Sequence, residues 1–193
     1  MTLWWLLFAM TVPAQADAAD PCAVPGACRR IETVRIETPS GTVLAVPVDK
    51  TLPWIAQDNL MLFPGDSATV RLVERNGGLF PELVRSGAAS AATPPADGQV
   101  RVTVAPYALG KLTMTVESRW SVPLDYGALI VIPLPGKTRA ERTSVCTLLP
   151  GKTNYELWNR PILQLALSSF RPTTQPGCKT IDARPTTDVP AAT

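Results

Sequence analysis

Four cysteines, Cys22, Cys28, Cys146 and Cys178, are the residues whose type and spacing most directly suggest a chemistry. An even number in an exported chain reads as disulfides, and four cysteines allow three pairings. Cys22–Cys28 with Cys146–Cys178 is the favoured one, since each bond joins neighbours in sequence. The second would close a loop of about 33 residues, worth on the order of 4 kcal/mol in the chain-entropy account. A metal site is disfavoured, because there is no C-x-x-C and the chain contains no histidine. The missing histidine also removes Ser-His-Asp and Cys-His nucleophilic catalysis in their usual form. No catalytic residue, cofactor or metal ligand is therefore assigned, and the chain is read as a non-enzyme.

Two weaker patterns bear on chemistry. Gly-Lys-Thr occurs at 136–138 and again at 151–153. A phosphate-binding P-loop needs a further glycine five residues before the first of these, so that backbone amides can wrap the phosphates. Those positions hold Val131 and Cys146, so the two Leu-Pro-Gly-Lys-Thr segments read as similar turns. Paired carboxylates could hydrolyse a glycoside without histidine. Asp58, Asp66, Glu74, Glu117 and Asp125 are candidates by residue type alone, and their simpler reading is exposed or turn structure. Among the aromatics, Trp120 is expected in the core. Trp54 and Trp158 sit beside proline or polar residues and are the candidate contact surface, since exposed tryptophan suits binding.

The elements that would position these residues begin after a leader. Leu3 to Val12 is an apolar run of signal-peptide length, followed by the small-x-small pattern Ala14-Gln15-Ala16. The expectation is a signal peptide over 1–16, one domain over 17–181 and a disordered Pro/Thr/Ala-rich tail over 182–193. No later segment is long and apolar enough to anchor the mature chain. A net charge of +2, from 18 basic and 16 acidic residues, gives no pull towards nucleic acid. Location is expected to be periplasmic or secreted.

Nineteen of the twenty prolines and all twelve glycines punctuate the remainder into short apolar runs. Val34 and Ile36 alternate with Arg35 and Glu37, and a turn at Pro39-Ser40-Gly41 leads into 42–48, which predicts a hairpin. Ala68, Val70 and Leu72 alternate after Pro64-Gly65. Residues 86–98 are small and polar and predict a flexible loop. Val100, Val102 and Val104, then Leu112, Met114 and Val116, show the same period of two. Residues 157–170 fit either a strand or a helix, with strand preferred.

These patterns predict seven to nine short strands in an all-β, immunoglobulin-like β-sandwich. The span from Gly110 to Ile132 resembles the paired inner strands of bacterial periplasmic immunoglobulin-like domains. That resemblance implies a non-enzymatic binding or assembly module of a bacterial cell envelope, whose partner is another envelope protein. Its candidate surfaces are the 86–98 loop and the 134–155 region. The alternatives are a secreted carbohydrate-binding module or carboxylate-based glycoside hydrolase, and a structural cell-wall protein.

Overall fold

The alternation seen in the sequence becomes two-faced strands along most of the chain. The computed structural model describes residues 20–89, 93–107, 110–179 and 185–190. The expected signal peptide lies outside the described residues, as do 90–92 of the loop and 182–184 and 191–193 of the tail. Among the described residues, no helix is long and apolar enough to cross a membrane.

A single 3-10 turn, Pro21–Ala23, is capped by the Asp20 carboxylate, which accepts from the Cys22 amide. The Cys22–Cys28 disulfide ties it to β1 (Cys28–Glu37). β1 pairs antiparallel with β2 (Val43–Pro53), so the hairpin expected over 30–48 forms and runs on to residue 53. Then come β3 (Ile55–Ala56), β4 (Asn59–Leu62), β5 (Asp66–Arg75), β6 (Gly78–Ala88), β7 (Gln99–Tyr107) and β8 (Lys111–Ser118). The chain continues through β9 (Leu124–Leu134), β10 (Lys137–Thr143), β11 (Val145–Cys146) and β12 (Thr153–Trp158). It ends with β13 (Gln164–Pro172), β14 (Cys178–Lys179) and β15 (Pro185–Pro190). The chain is all-β, and its strands outnumber the seven to nine expected, partly because short pieces such as β3, β11 and β14 carry no alternation to read.

The main sheet has the order β12-β8-β7-β5-β6-β13-β9-β10-β15, with β3 and β4 attached beside β13. It has two ends and is not a closed barrel. β6 belongs to both arms: it pairs along its length with β5 and meets β13 at Leu79 and Phe170. Val70, Val102 and Met114 from one arm share a buried cluster with Leu62, Ile130 and Leu167 from the other. Burying such side chains stabilises by roughly 1.5–3 kcal/mol each, which is what holds the two arms to one core.

A smaller cluster glues the β1–β2 ribbon on. Val34 and Ile36 pack with Phe63 and Leu163, and with the partly buried Val131 of β9. At one end of the ribbon the Arg29 guanidinium lies 3.5 Å over the Trp54 ring and donates to Asp66 at 2.6 Å. At the other, the tip meets Gly110. A Cβ there would stand 2.5 Å from the Thr38 carbonyl carbon, and φ is +73°, so both space and conformation require glycine.

Several expectations are corrected. Trp54 and Trp158 are not a contact surface: they are 4% and 7% exposed. Trp54 lies beneath Arg29, and Trp158 takes an inward position on β12 opposite Leu112. Its indole N–H donates to Thr143 Oγ1 at 2.8 Å, which satisfies the polar end on burial. Trp120, expected in the core, is half-buried against it. Residues 157–170 are neither one strand nor a helix: β12 ends at Trp158 and β13 starts at Gln164, with Pro161 between them. The 86–98 segment is less free than expected. Its first residues extend β6, and Thr93 is held because its carbonyl accepts from both Arg85 and Arg101. In the tail, 185–190 form a strand on β10 in place of disorder. Backbone pairing explains this, since an open sheet edge can recruit a chain of low hydrophobicity.

Candidate functional site

The two ends of the sheet differ. Beyond β10 the edge is occupied by the chain's own β15, with prolines at both ends. At the opposite end β12 pairs with β8 on one side, from Thr153–Glu117 to Trp158–Leu112. Among the described residues, no strand pairs with its other side.

A tight turn sets β12 in place. Pro150 and Gly151 bring the chain round, with Gly151 at φ +65° and the Lys152 amide donating to the Leu149 carbonyl at 3.1 Å. The similar Leu-Pro-Gly-Lys segment at 134–137 forms the β9–β10 turn, with Gly136 at φ +69°. Pro then Gly at φ > 0 is type II turn chemistry, and both Gly-Lys-Thr segments are turns at strand ends.

β12 alternates in an unusual sense. Asn154, Glu156 and Trp158 face inward, and Thr153, Tyr155 and Leu157 face out. Tyr155 is 74% and Leu157 52% exposed. The inward polar side chains are engaged with the segment that crosses behind the strand. Asn154 Nδ2 donates to the Thr147 carbonyl at 2.9 Å, and Glu156 Oε1 accepts from the Cys146 amide at 2.9 Å. That segment is in turn fixed where β11 pairs with β14 and the Cys146–Cys178 disulfide closes. Burial pushes the Glu156 carboxyl up, outweighing the Cys146 amide that favours its charge. Burial, and then the Glu156 charge, pushes the Tyr126 hydroxyl far above its ordinary value. The result is a strand anchored from behind, with an exposed aromatic and an exposed leucine beside an unpaired backbone edge.

The carboxylates singled out by type do not come together as a pair. Asp66 is bound to Arg29, Asp58 to Arg75 at 3.2 Å, Glu117 to Arg101, and Asp125 to Lys179. Glu74 is exposed near the end of β5. Burial raises the Asp66 carboxyl despite the Phe63 amide and Arg29. Each of the four paired carboxylates sits against a cation, which suits structural pairing and not shared-proton chemistry.

The 134–155 region expected as a surface contains Tyr155 and stops short of Leu157. Polarity alone assigns the apolar members of the β12 alternation, Leu157 among them, to the core. No protein-family model, curated protein or solved structure matches this chain.

Proposed function

We propose that this chain is an exported, non-enzymatic binding module of a bacterial cell envelope. Its two-armed sheet is read as an immunoglobulin-like β-sandwich, and its partner is an extended segment of another envelope protein. The segment adds to β12 as a further strand, a mode in which main-chain hydrogen bonds give affinity and alternate side chains give specificity. The observation that supports this is the pairing of an open backbone edge with Tyr155 and Leu157 on one face of the same strand. Long, apolar, open edges are a liability that proteins usually blunt with charge or proline. β15 shows such blunting at the other end of the sheet, whereas β12 has no proline and its one charged residue, Glu156, is turned inward and engaged by the Cys146 amide. A partner presenting apolar residues at alternate positions would cover both exposed side chains.

The test places a photo-cross-linker at Thr153 in the native host and compares wild type with Tyr155→Lys and Leu157→Lys. One captured envelope protein, lost in both variants, supports the reading. Capture of a second copy of this chain would make β12 a self-association edge instead. Retention on glycan or wall material with no protein captured would move the weight to the carbohydrate or structural alternatives.

A further inference from the structure

The second arm carries a hollow on its outer face, beyond the area the β1–β2 ribbon covers. Four strands stand side by side there, and one cross-strand row reads Met61, Ala166, Leu129, Arg142. In the adjoining row Gly127 faces Ser168. The small residues Ala166, Gly127 and Ser168 line a cavity of ≈ 570 Å³. That lies within the roughly 300–1,000 Å³ typical of small-molecule sites.

The rim of the hollow is cationic, with Arg171 and Lys179 at Asp125 and Arg142 farther along the sheet beside Leu129. Asp125 Oδ2 is ion-paired with the Lys179 ammonium and lies 3.8 Å from Arg171 Nε. Its Oδ1 accepts from the Thr147 hydroxyl at 2.8 Å. Arg142, also on the lining, is exposed and has no ion-pair partner among the described residues. Three cations against one buried carboxylate leave the rim with a formal surplus of two positive charges. Burial disfavours the Asp125 charge, but the Lys179 and Thr147 hydrogen bonds and the nearby cations hold its carboxyl below the ordinary range. Asp125 therefore stays ionised at neutral pH, and the surplus is fixed.

Two backbone features point the same way. Gly127 lies within a strand, and a Cβ added there would meet Ser168 and Ser169 at 3.6–4.0 Å, ordinary contact distances. Its φ is outside the left-handed region, so neither crowding nor conformation demands glycine. Glycine inside a strand weakens it and often marks close approach of a ligand or a second backbone. The side chain absent here would fill the hollow. Beside it, the ladder is irregular between Ser168 and Arg171, and Ser169 sits at φ +56°. Bulges of this kind re-aim the side chains that follow, here Arg171 on the cationic rim.

We propose that this cavity binds a small amphiphilic organic anion, its oxyanion head held by Arg142, Arg171 and Lys179 and its apolar body on Met61, Ala166 and Leu129. The site is on a different strand set from β12, so it stands or falls independently of the partner-binding reading. Arginine suits the head because its planar fork meets an oxyanion with two parallel hydrogen bonds.

The experiment titrates the intact protein with 1-naphthoate and follows amide NMR shifts. The neutral isostere 1-naphthalenemethanol and inorganic phosphate serve as body-only and head-only probes. Saturable naphthoate shifts centred on Gly127, Leu129 and Ala166 are expected, with the alcohol at least about tenfold weaker. Arg142→Gln, at an exposed site, should weaken naphthoate about tenfold without changing the melting temperature. Gly127→Leu should abolish binding by filling the hollow. Equal binding of the alcohol, equal shifts with phosphate alone, an unchanged Arg142→Gln titration or no saturation with naphthoate would each overturn the proposal. Should Gly127→Leu fail to fold, the Arg142→Gln result still decides.

Discussion

The two ends of the main sheet solve the same physical problem differently. Any terminal strand presents unpaired amides and carbonyls that can template another chain. At β10 the chain supplies its own covering strand, β15, through five register pairs. The prolines at 185 and 190 remove donors from that strand, which makes a further addition unfavourable. At β12 the chain supplies nothing among its described residues, yet it reinforces the strand from behind with Asn154, Glu156 and the Cys146–Cys178 linkage. One end is closed and the other is held open in a defined shape. That contrast is the basis for the proposal that a partner strand extends the sheet at β12.

The largest expected effect tests the support behind the open edge. Replacing Cys146 and Cys178 together with serine should lower stability by about 4 kcal/mol, given a sequence separation of 32. Denaturant melts of the double variant check this, and a loss below about 1 kcal/mol would show that the linkage does not support β12. Next comes the closed edge. Deleting 185–193 should cost roughly 1–5 kcal/mol, from five cross-strand pairs of about 0.2–1 kcal/mol each, and leave β10 bare. Concentration-dependent self-association in sedimentation is expected. A deletion variant that stays as dispersed as wild type would mean that β15 is not what quiets that end.

A smaller effect on stability, with a large one on binding, is expected at the open edge. Tyr155→Lys and Leu157→Lys should leave stability within about 0.5 kcal/mol, since both side chains are exposed. Partner capture should fall at least tenfold, because a charge on an edge opposes strand addition. The smallest effect is a pH signature. Burial raises Glu156 above its unfolded value, so the folded state prefers the protonated acid. That contribution is fully present below the unfolded value and is lost as pH rises through the folded one. Glu156→Gln keeps an oxygen for the Cys146 amide and removes the buried charge. Its melting temperature should exceed wild type by on the order of 1–2 °C at neutral pH, and the difference should vanish in acid. Asp125 has the opposite sign: held low, it stabilises above its unfolded value, and that contribution is lost as pH falls through the folded one.

Much of the strand content was legible because a period of two survives wherever one face is buried. Val100, Val102 and Val104 occupy the inward positions that their alternation predicts, as do Leu112, Met114 and Val116. The candidate surfaces were legible only in part: the 134–155 region contains the exposed Tyr155, while Trp54 and Trp158 are covered. Trp54 looked exposed beside Pro53, but a cation lies over its ring. Trp158 looked exposed beside Asn159, but its place in the β12 alternation turns it inward. Leu157 falls outside the expected 134–155 region, and the residues flanking Tyr155, Asn154 and Glu156, are the ones that polarity would turn outward. They point inward only because amide and carbonyl partners at 146 and 147 await them.

The sequence alone determined the local terms: strand-length alternation, Pro-Gly turns, cysteine partners close in sequence, and the absence of histidine chemistry. Alternation and turns depend on neighbours a few residues apart, and the cysteine partners lie 6 and 32 residues apart, so reasoning along the chain is enough to read them. The tertiary structure decided which strand ends the sheet, which tryptophans are covered and which cations share a rim. Those depend on residues far apart in the chain, such as Asp125 with Lys179 or Glu37 with Gly110, brought together only when burial of the common core fixes strand order.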